Sequence, residues 1–98
     1  MEAIIDDGEK VCDQDVIDMA HWLLREEGLF VGSSSALNIA AACSVARKLG
    51  SGKTIVTIVC DSGHRHLSRF WNPEYIATAA YSLKWPSADV VPTSLAGL

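Results

Sequence analysis

Polar and apolar positions divide the chain into segments of different period. Between positions 16 and 24 the apolar residues Val16, Ile17, Ala20, Leu23 and Leu24 recur at helical spacing, while Asp15, Asp18, Arg25 and Glu26 occupy the polar face. That spacing predicts an amphipathic helix over 14–27, with Asp13 as its N-cap and Gly28 as its C-cap. Leu29, Phe30 and Val31 make an apolar run long enough only for a very short strand, and Gly32-Ser33-Ser34-Ser35 turns from it into a second helix predicted over 36–49. This helix is rich in alanine (Ala36, Ala40, Ala41, Ala42, Ala46), so it can approach a neighbour closely and be buried over much of its circumference. Gly50 closes it.

The period then changes. Thr54-Ile55-Val56-Thr57-Ile58-Val59-Cys60 is β-branched almost throughout and lacks clean alternation, and it lies between the turn Gly50-Ser51-Gly52-Lys53 and the abrupt polar stop Asp61-Ser62-Gly63. Such a run predicts a strand over 54–59 covered on both faces, the central strand of a parallel sheet with helices above and below. Beyond it, 65–70 reads as a short helix or turn. Asn72-Pro73-Glu74 then opens a last short helix, with Asn72 as cap and proline at the first position. Upstream, Ala3-Ile4-Ile5 and Lys10-Val11-Cys12 flank the turn-forming Asp6-Asp7-Gly8, which predicts a short strand or hairpin edge. The stretch 82–98 holds Pro86, Pro92 and several serines without sustained period, so residues 78–98 read as an irregular or disordered tail. The expected class is α/β.

At 98 residues the chain is at most one domain, near the lower limit for a sheet covered on both faces. A net charge of −4, with no basic cluster beyond Arg47-Lys48 and His64-Arg65-His66, argues against a nucleic-acid partner. No apolar stretch reaches the roughly 18 residues of a membrane span. The acidic start, Met1 to Glu9, fits neither a secretory signal nor an Arg-rich transit peptide. Three widely spaced cysteines, Cys12, Cys43 and Cys60, suit a reduced intracellular compartment.

In parallel sheets, ligands bind just past the carboxyl ends of strands, which puts Asp61, Ser62 and Gly63 where polar groups do chemistry. Ser62 is the leading candidate. Three neighbouring patterns point elsewhere and fail on their own terms. Gly50-Ser51-Gly52-Lys53-Thr54 ends like a phosphate loop, but Arg47 stands where its first glycine belongs, and it follows a helix and opens a strand, the reverse of that motif. Asp61-Ser62-Gly63-His64 holds the residue types of a serine hydrolase, but Cys60 replaces the first glycine of the nucleophile turn and no HGGG-type oxyanion motif is present. Cys60, His64 and His66, with Cys12 as a fourth, match no familiar zinc spacing, so a buried Cys60 beside two exposed histidines is the plainer reading and no metal site is assigned.

Three stretches carry a resemblance: 26–38 (Glu26-Glu27-Gly28-Leu29-Phe30-Val31-Gly32-Ser33-Ser34-Ser35-Ala36-Leu37-Asn38), 53–63 (Lys53 through Asp61-Ser62-Gly63) and 70–75 (Phe70-Trp71-Asn72-Pro73-Glu74-Tyr75). Together they resemble, in order and spacing, the C-terminal segment of cysteine synthases, the O-acetylserine sulfhydrylases, and most closely the fungal branch. The resemblance covers about residues 3–77. It implies that 1–77 is the C-terminal part of the parallel-sheet, helix-covered domain of a fold-type-II pyridoxal-phosphate enzyme related to the tryptophan-synthase β subunit. It further implies a β-replacement that forms L-cysteine from O-acetylserine and sulfide, with pyridoxal 5'-phosphate as cofactor, in a homodimeric, cytoplasmic or mitochondrial parent enzyme. On this resemblance Ser62 hydrogen-bonds the cofactor's pyridine nitrogen, and the Gly32-Ser33-Ser34 turn lies along the cofactor pocket.

The match does not extend to the rest of the family's machinery. The cofactor-bearing lysine, the asparagine loop around the substrate carboxylate and the phosphate loop lie upstream of the matched segment in that family. Lys10, Lys48, Lys53 and Lys84 match no family lysine, so no catalytic residue is assigned and the chain reads as a partial sequence, inactive alone. The alternative is a non-catalytic product acting only by association, for instance with a full-length homologue.

Overall fold

The computed structural model describes residues 7–78, 83–87 and 89–95, so residues 3–5 of the expected hairpin, and part of the expected tail, lie outside the described residues. The elements in order are α1 (Asp13–Trp22), a π-helical turn (Leu23–Glu27), α2 (Ser33–Leu49), a 3-10 turn (Gly63–His66), α3 (Pro73–Thr78) and a second 3-10 turn (Thr93–Leu95).

The first helix forms where the spacing placed it, but its cap is one residue earlier than expected. Cys12 takes the extended cap conformation, and its carbonyl accepts from the N–H groups of Asp15 and Val16 at 3.1 and 3.2 Å. Asp13, expected as cap, is the first helical residue and contributes through its charge: with Asp15 it puts two acids in the first turn, where the helix dipole favours them. From Leu23 the helix widens into its π-helical turn and ends at Gly28, whose φ of 68° is the left-handed geometry that glycine adopts without strain.

Gly32 is already in extended cap geometry, and its carbonyl accepts from Ala36 N–H at 3.0 Å. The second helix therefore begins at Ser33 rather than at the expected position 36, and the three serines form its first turn. Ala36 and Ala40 are fully buried and meet Val16, Met19, Ala20 and Leu23 of the first helical segment, with Val31 closing the cluster. The small side chains allow that approach. The other alanines, Ala41, Ala42 and Ala46, stay partly exposed, so burial is confined to one face. Asn72 caps α3 as expected, its Oδ1 accepting from Glu74 N–H at 3.0 Å.

Among the described residues no strand ladder forms. Residues 53–60 are extended, and Val56, Ile58 and Val59 are 87%, 68% and 56% exposed, so the apolar side chains expected under helices on both faces are uncovered. Asn38 Nδ2 of α2 donates to the Ile58 carbonyl at 2.9 Å. A single antiparallel bridge joins Val31 to Ser62. Residues 89–95 hold the second 3-10 turn, with Pro92 and Ser94 buried against the helices.

Candidate functional site

Two short stretches clasp one another, residues 29–32 with the first turn of α2 on one side and residues 61–66 on the other. Gly32 N–H donates to the Asp61 carbonyl at 3.2 Å, and Gly63 N–H donates to the Phe30 carbonyl at 3.0 Å. Ser35, fully buried in the first turn of α2, binds both main-chain groups of Asp61: its hydroxyl donates to the carbonyl at 2.9 Å and accepts from the N–H at 3.1 Å. Trp71 Nε1 donates to the Val31 carbonyl at 2.8 Å, pinning the far side of the first loop. Two glycines are needed for the approach. A Cβ on Gly32 would overlap the Asp61 carboxylate and the His66 ring, and one on Gly63 would overlap the Phe30 ring.

The clasp orders the polar residues at the end of the extended segment. Asp61 Oδ2 lies 2.7 Å from His66 Nε2, and this bond is the main reason its carboxyl is held below the usual carboxylate range. Desolvation works against that shift, whereas the imidazole charge, the Ser35 hydroxyl and Arg65 reinforce it. Ser62 is exposed and caps the 3-10 turn, its Oγ accepting from His64 N–H at 3.3 Å and lying 3.3 Å from His64 Nδ1. The hydrolase arrangement is thus not assembled: Asp61 holds His66, while the histidine beside Ser62 is His64. Cys60 is exposed, not buried as its apolar surroundings in the sequence suggested, and among the described residues no cluster of three His, Cys, Asp or Glu is placed to hold a metal. Gly50 ends α2 and the chain runs on through Gly52 into the extended segment, the helix-first order that a phosphate loop does not have.

A cavity of about 360 Å³ opens beside the clasp, between Val16 and Ile17 of α1, Ser33, and the side chains of His66, Phe70 and Ile76. Ser62 is not in its wall; His66, which carries the Asp61 carboxylate, is. Of the predicted site residues, Ser62 and the Gly32–Ser34 turn are brought near one another by the residues preceding each, through the Val31–Ser62 bridge and the bond from Gly32 N–H to the Asp61 carbonyl. Ser35 and Phe30 were not anticipated, and His66, expected as one of two exposed histidines, is instead half-buried and paired with Asp61. The one sequence signal that could have found Ser35 is register: if the helix is begun at Ser33, Ser35 and Ala36 precede the fully buried Ala40 on the face toward α1.

The model of the pyridoxal-phosphate-dependent enzyme family matches residues 1–61, well over half of the chain, and the chain belongs to that family. The curated relatives that it matches include cysteine synthases. That of Dictyostelium discoideum is 55% identical over 64 residues, covering 65% of this chain and 17% of the relative. Cysteine synthase 2 of Emericella nidulans is 53% identical over 68 residues, or 69% and 16%. A Saccharomyces cerevisiae protein provisionally named a mitochondrial cysteine synthase is 53% identical over 70 residues, or 71% and 18%. The matched segment thus spans only 16–18% of the length of these relatives. The family's cofactor is pyridoxal 5'-phosphate.

Proposed function

We propose that this chain supplies the C-terminal part of a cysteine synthase, in which the Ser62 hydroxyl donates a hydrogen bond to the pyridine nitrogen of pyridoxal 5'-phosphate. The observation that carries the reading is the clasp. It fixes both main-chain groups of Asp61 through Ser35, so the next residue presents an exposed hydroxyl beside the Gly32 turn.

The residues present fit the cofactor at one end. Ser62 Oγ accepts from His64 N–H, and its own O–H can turn from the imidazole to an incoming ring nitrogen. No lysine is assigned to the aldehyde end: Lys10, Lys48 and Lys53 are exposed, Lys48 pairs with Glu9, and the Lys84 main chain is bonded to Gln14. When bound, the cofactor withdraws electrons from the α-carbon of the amino acid it carries, which lets O-acetylserine lose acetate and take up sulfide to give L-cysteine. The part of Ser62 is to hold the nitrogen with a neutral donor. Unlike a carboxylate, a hydroxyl does not keep that nitrogen protonated, which favours β-elimination over transamination-like side reactions.

In the same reading, residues 54–59 are the central strand of a parallel sheet in the complete domain, with 1–77 its C-terminal segment and the tail from 78 outside it. The support is the extended run itself, whose exposed Val56, Ile58 and Val59 are the side chains a covered strand buries. The complete enzyme acts on small molecules, is a homodimer, and works in the cytoplasm, with the mitochondrion as the alternative; among the described residues no helix is long and apolar enough to cross a membrane. The same exposed run supports a second reading, in which the chain acts without catalysis by associating with a full-length homologue.

The test is made in a full-length enzyme carrying this segment. Ser62→Ala removes one neutral hydrogen bond, worth about 0.5–1.5 kcal/mol net, so cofactor affinity falls by up to about tenfold. Ser62→Asp slows elimination further by stabilising the protonated nitrogen. If both variants shift only the melting temperature, with cofactor affinity and elimination rate unchanged, Ser62 is simply the cap of the 3-10 turn.

A further inference from the structure

The run from Thr54 to Cys60 carries no charge, and its Val56 and Ile58 are the most exposed large apolar side chains among the described residues. Its main chain is equally uncommitted: among the described residues no N–H of 54–60 donates to another main-chain group. The ends are defined. The turn at Ser51 and Gly52 precedes the run, and at Asp61 both main-chain groups are already taken, by Ser35 and Gly32. One side is touched by α2, where Asn38 Nδ2 donates to the Ile58 carbonyl and reaches Cys60 Sγ at 3.4 Å. In a β-pair, alternate residues turn their main-chain groups to the same edge. The edge of Thr54, Val56, Ile58 and Cys60 therefore faces α2, and the edge of Ile55, Thr57 and Val59 is open.

We propose that this open edge pairs with the same edge of a second copy of the chain, antiparallel about Thr57. The run is self-complementary in that register. Thr57 faces Thr57, Ile55 faces Val59, Val56 faces Ile58 and Thr54 faces Cys60, so apolar residues meet apolar ones and threonine meets a small polar side chain. The hydrogen-bonded pairs are those of Ile55, Thr57 and Val59, all on the open edge. A slip of one position requires one copy to present the edge that Asn38 occupies, and a slip of two sets Thr57 against Ile55 or Val59. Charge agrees: beyond the ladder, exposed Lys53 of each copy lies toward Asp61 of the other, whereas a parallel pair in register sets lysine on lysine. In a complete domain of the kind proposed above, the edge is paired within one chain; here a second copy takes that place, whatever the part of Ser62.

The experiment uses the full chain. Sedimentation from low to high micromolar protein should show monomer giving way to dimer, a weak one because the ladder is short. Thr57→Pro removes one donor per copy at the central pair and should weaken the dimer by at least about tenfold. Its helical circular dichroism should be unchanged, since Thr57 is exposed and outside the core. Register is read by cross-linking with glutathione disulfide in a chain carrying Cys12→Ser and Cys43→Ser, which leaves Cys60 as the one thiol. Cys60 alone should not link two copies, because pairing about Thr57 holds the two thiols about 20 Å apart along the strands. Adding Thr54→Cys should give dimers linked 54 to 60, a non-hydrogen-bonded pair whose Cα atoms, about 4.5 Å apart, are within disulfide reach. Links from 60 to 60 would mean a parallel pair, and a monomer at every concentration would mean no pair; either overturns the proposal. Association only with an added full-length cysteine synthase would assign the edge to that homologue and overturn it as well.

Discussion

Ser35→Ala tests the clasp most directly. The substitution deletes the bond donated to the Asp61 carbonyl at 2.9 Å and the one accepted from Asp61 N–H at 3.1 Å. The carbonyl keeps its bond from Gly32 N–H at 3.2 Å, whereas the amide loses its partner. Leaving such a group unmade costs about 1–3 kcal/mol, and alanine's better helix propensity returns only a few tenths, so a loss of about 2 kcal/mol is expected. With a urea slope of roughly 1–2 kcal/mol/M for a chain this size, the unfolding midpoint should fall by about 1–2 M. Ser34→Ala, one residue earlier and exposed, is the control and should stay within about 0.5 kcal/mol. Amide exchange at Asp61 should accelerate in the first variant alone. Equal midpoints for the two variants would show that the loops are held by something other than the Ser35 hydroxyl, and the placement of Ser62 would lose its support.

Gly63→Ala should cost about 1–3 kcal/mol in the same denaturation, because its Cβ overlaps a Phe30 ring already held edge-on by Trp71 and His64. The Asp61 carboxyl, held low chiefly by His66, contributes stability that is present above about pH 4, the carboxylate's unfolded value, and is lost as pH falls through the lower folded one. His66→Ala should move the Asp61 midpoint, read by carboxyl NMR, back up toward the ordinary range; an unmoved midpoint would dismiss the pair. Burial between Trp71 and Trp85 pushes His21 down to about 4, and its Nε2 is buried with no hydrogen-bond partner among the described residues. The unfolded chain takes the proton first, near about pH 6.5, so stability should fall from there to about pH 4, and His21→Phe should flatten that slope in thermal melts taken across the interval.

What the sequence revealed follows from how far apart the deciding residues lie. The stops at Gly28 and Gly50 and the Asn72 cap on Glu74 N–H each depend on residues a few positions apart, and each was legible. Ser35 with Asp61, 26 positions apart, and Asp15 with Ser94, 79 apart, were not, because composition says nothing about which polar residue a fold will bring to another. The serine run shows the limit sharply. Three identical residues sit in one turn, Ser34 is exposed and Ser35 fully buried, and only the true start of α2 distinguishes them. The segment 54–59 is the opposite case, its β-branched apolar character plain in the sequence and its surroundings not. A β-branched run specifies an extended backbone from within, but a ladder needs a second chain segment with its own register. Full burial of a side chain such as Val56 or Ile58 is worth about 1.5–3 kcal/mol, so leaving several exposed forfeits an appreciable part of a small domain's stability. The matched relatives extend well beyond the segment shared with this chain, and in the reading proposed above that additional length is where strands to pair with 54–59 would come from.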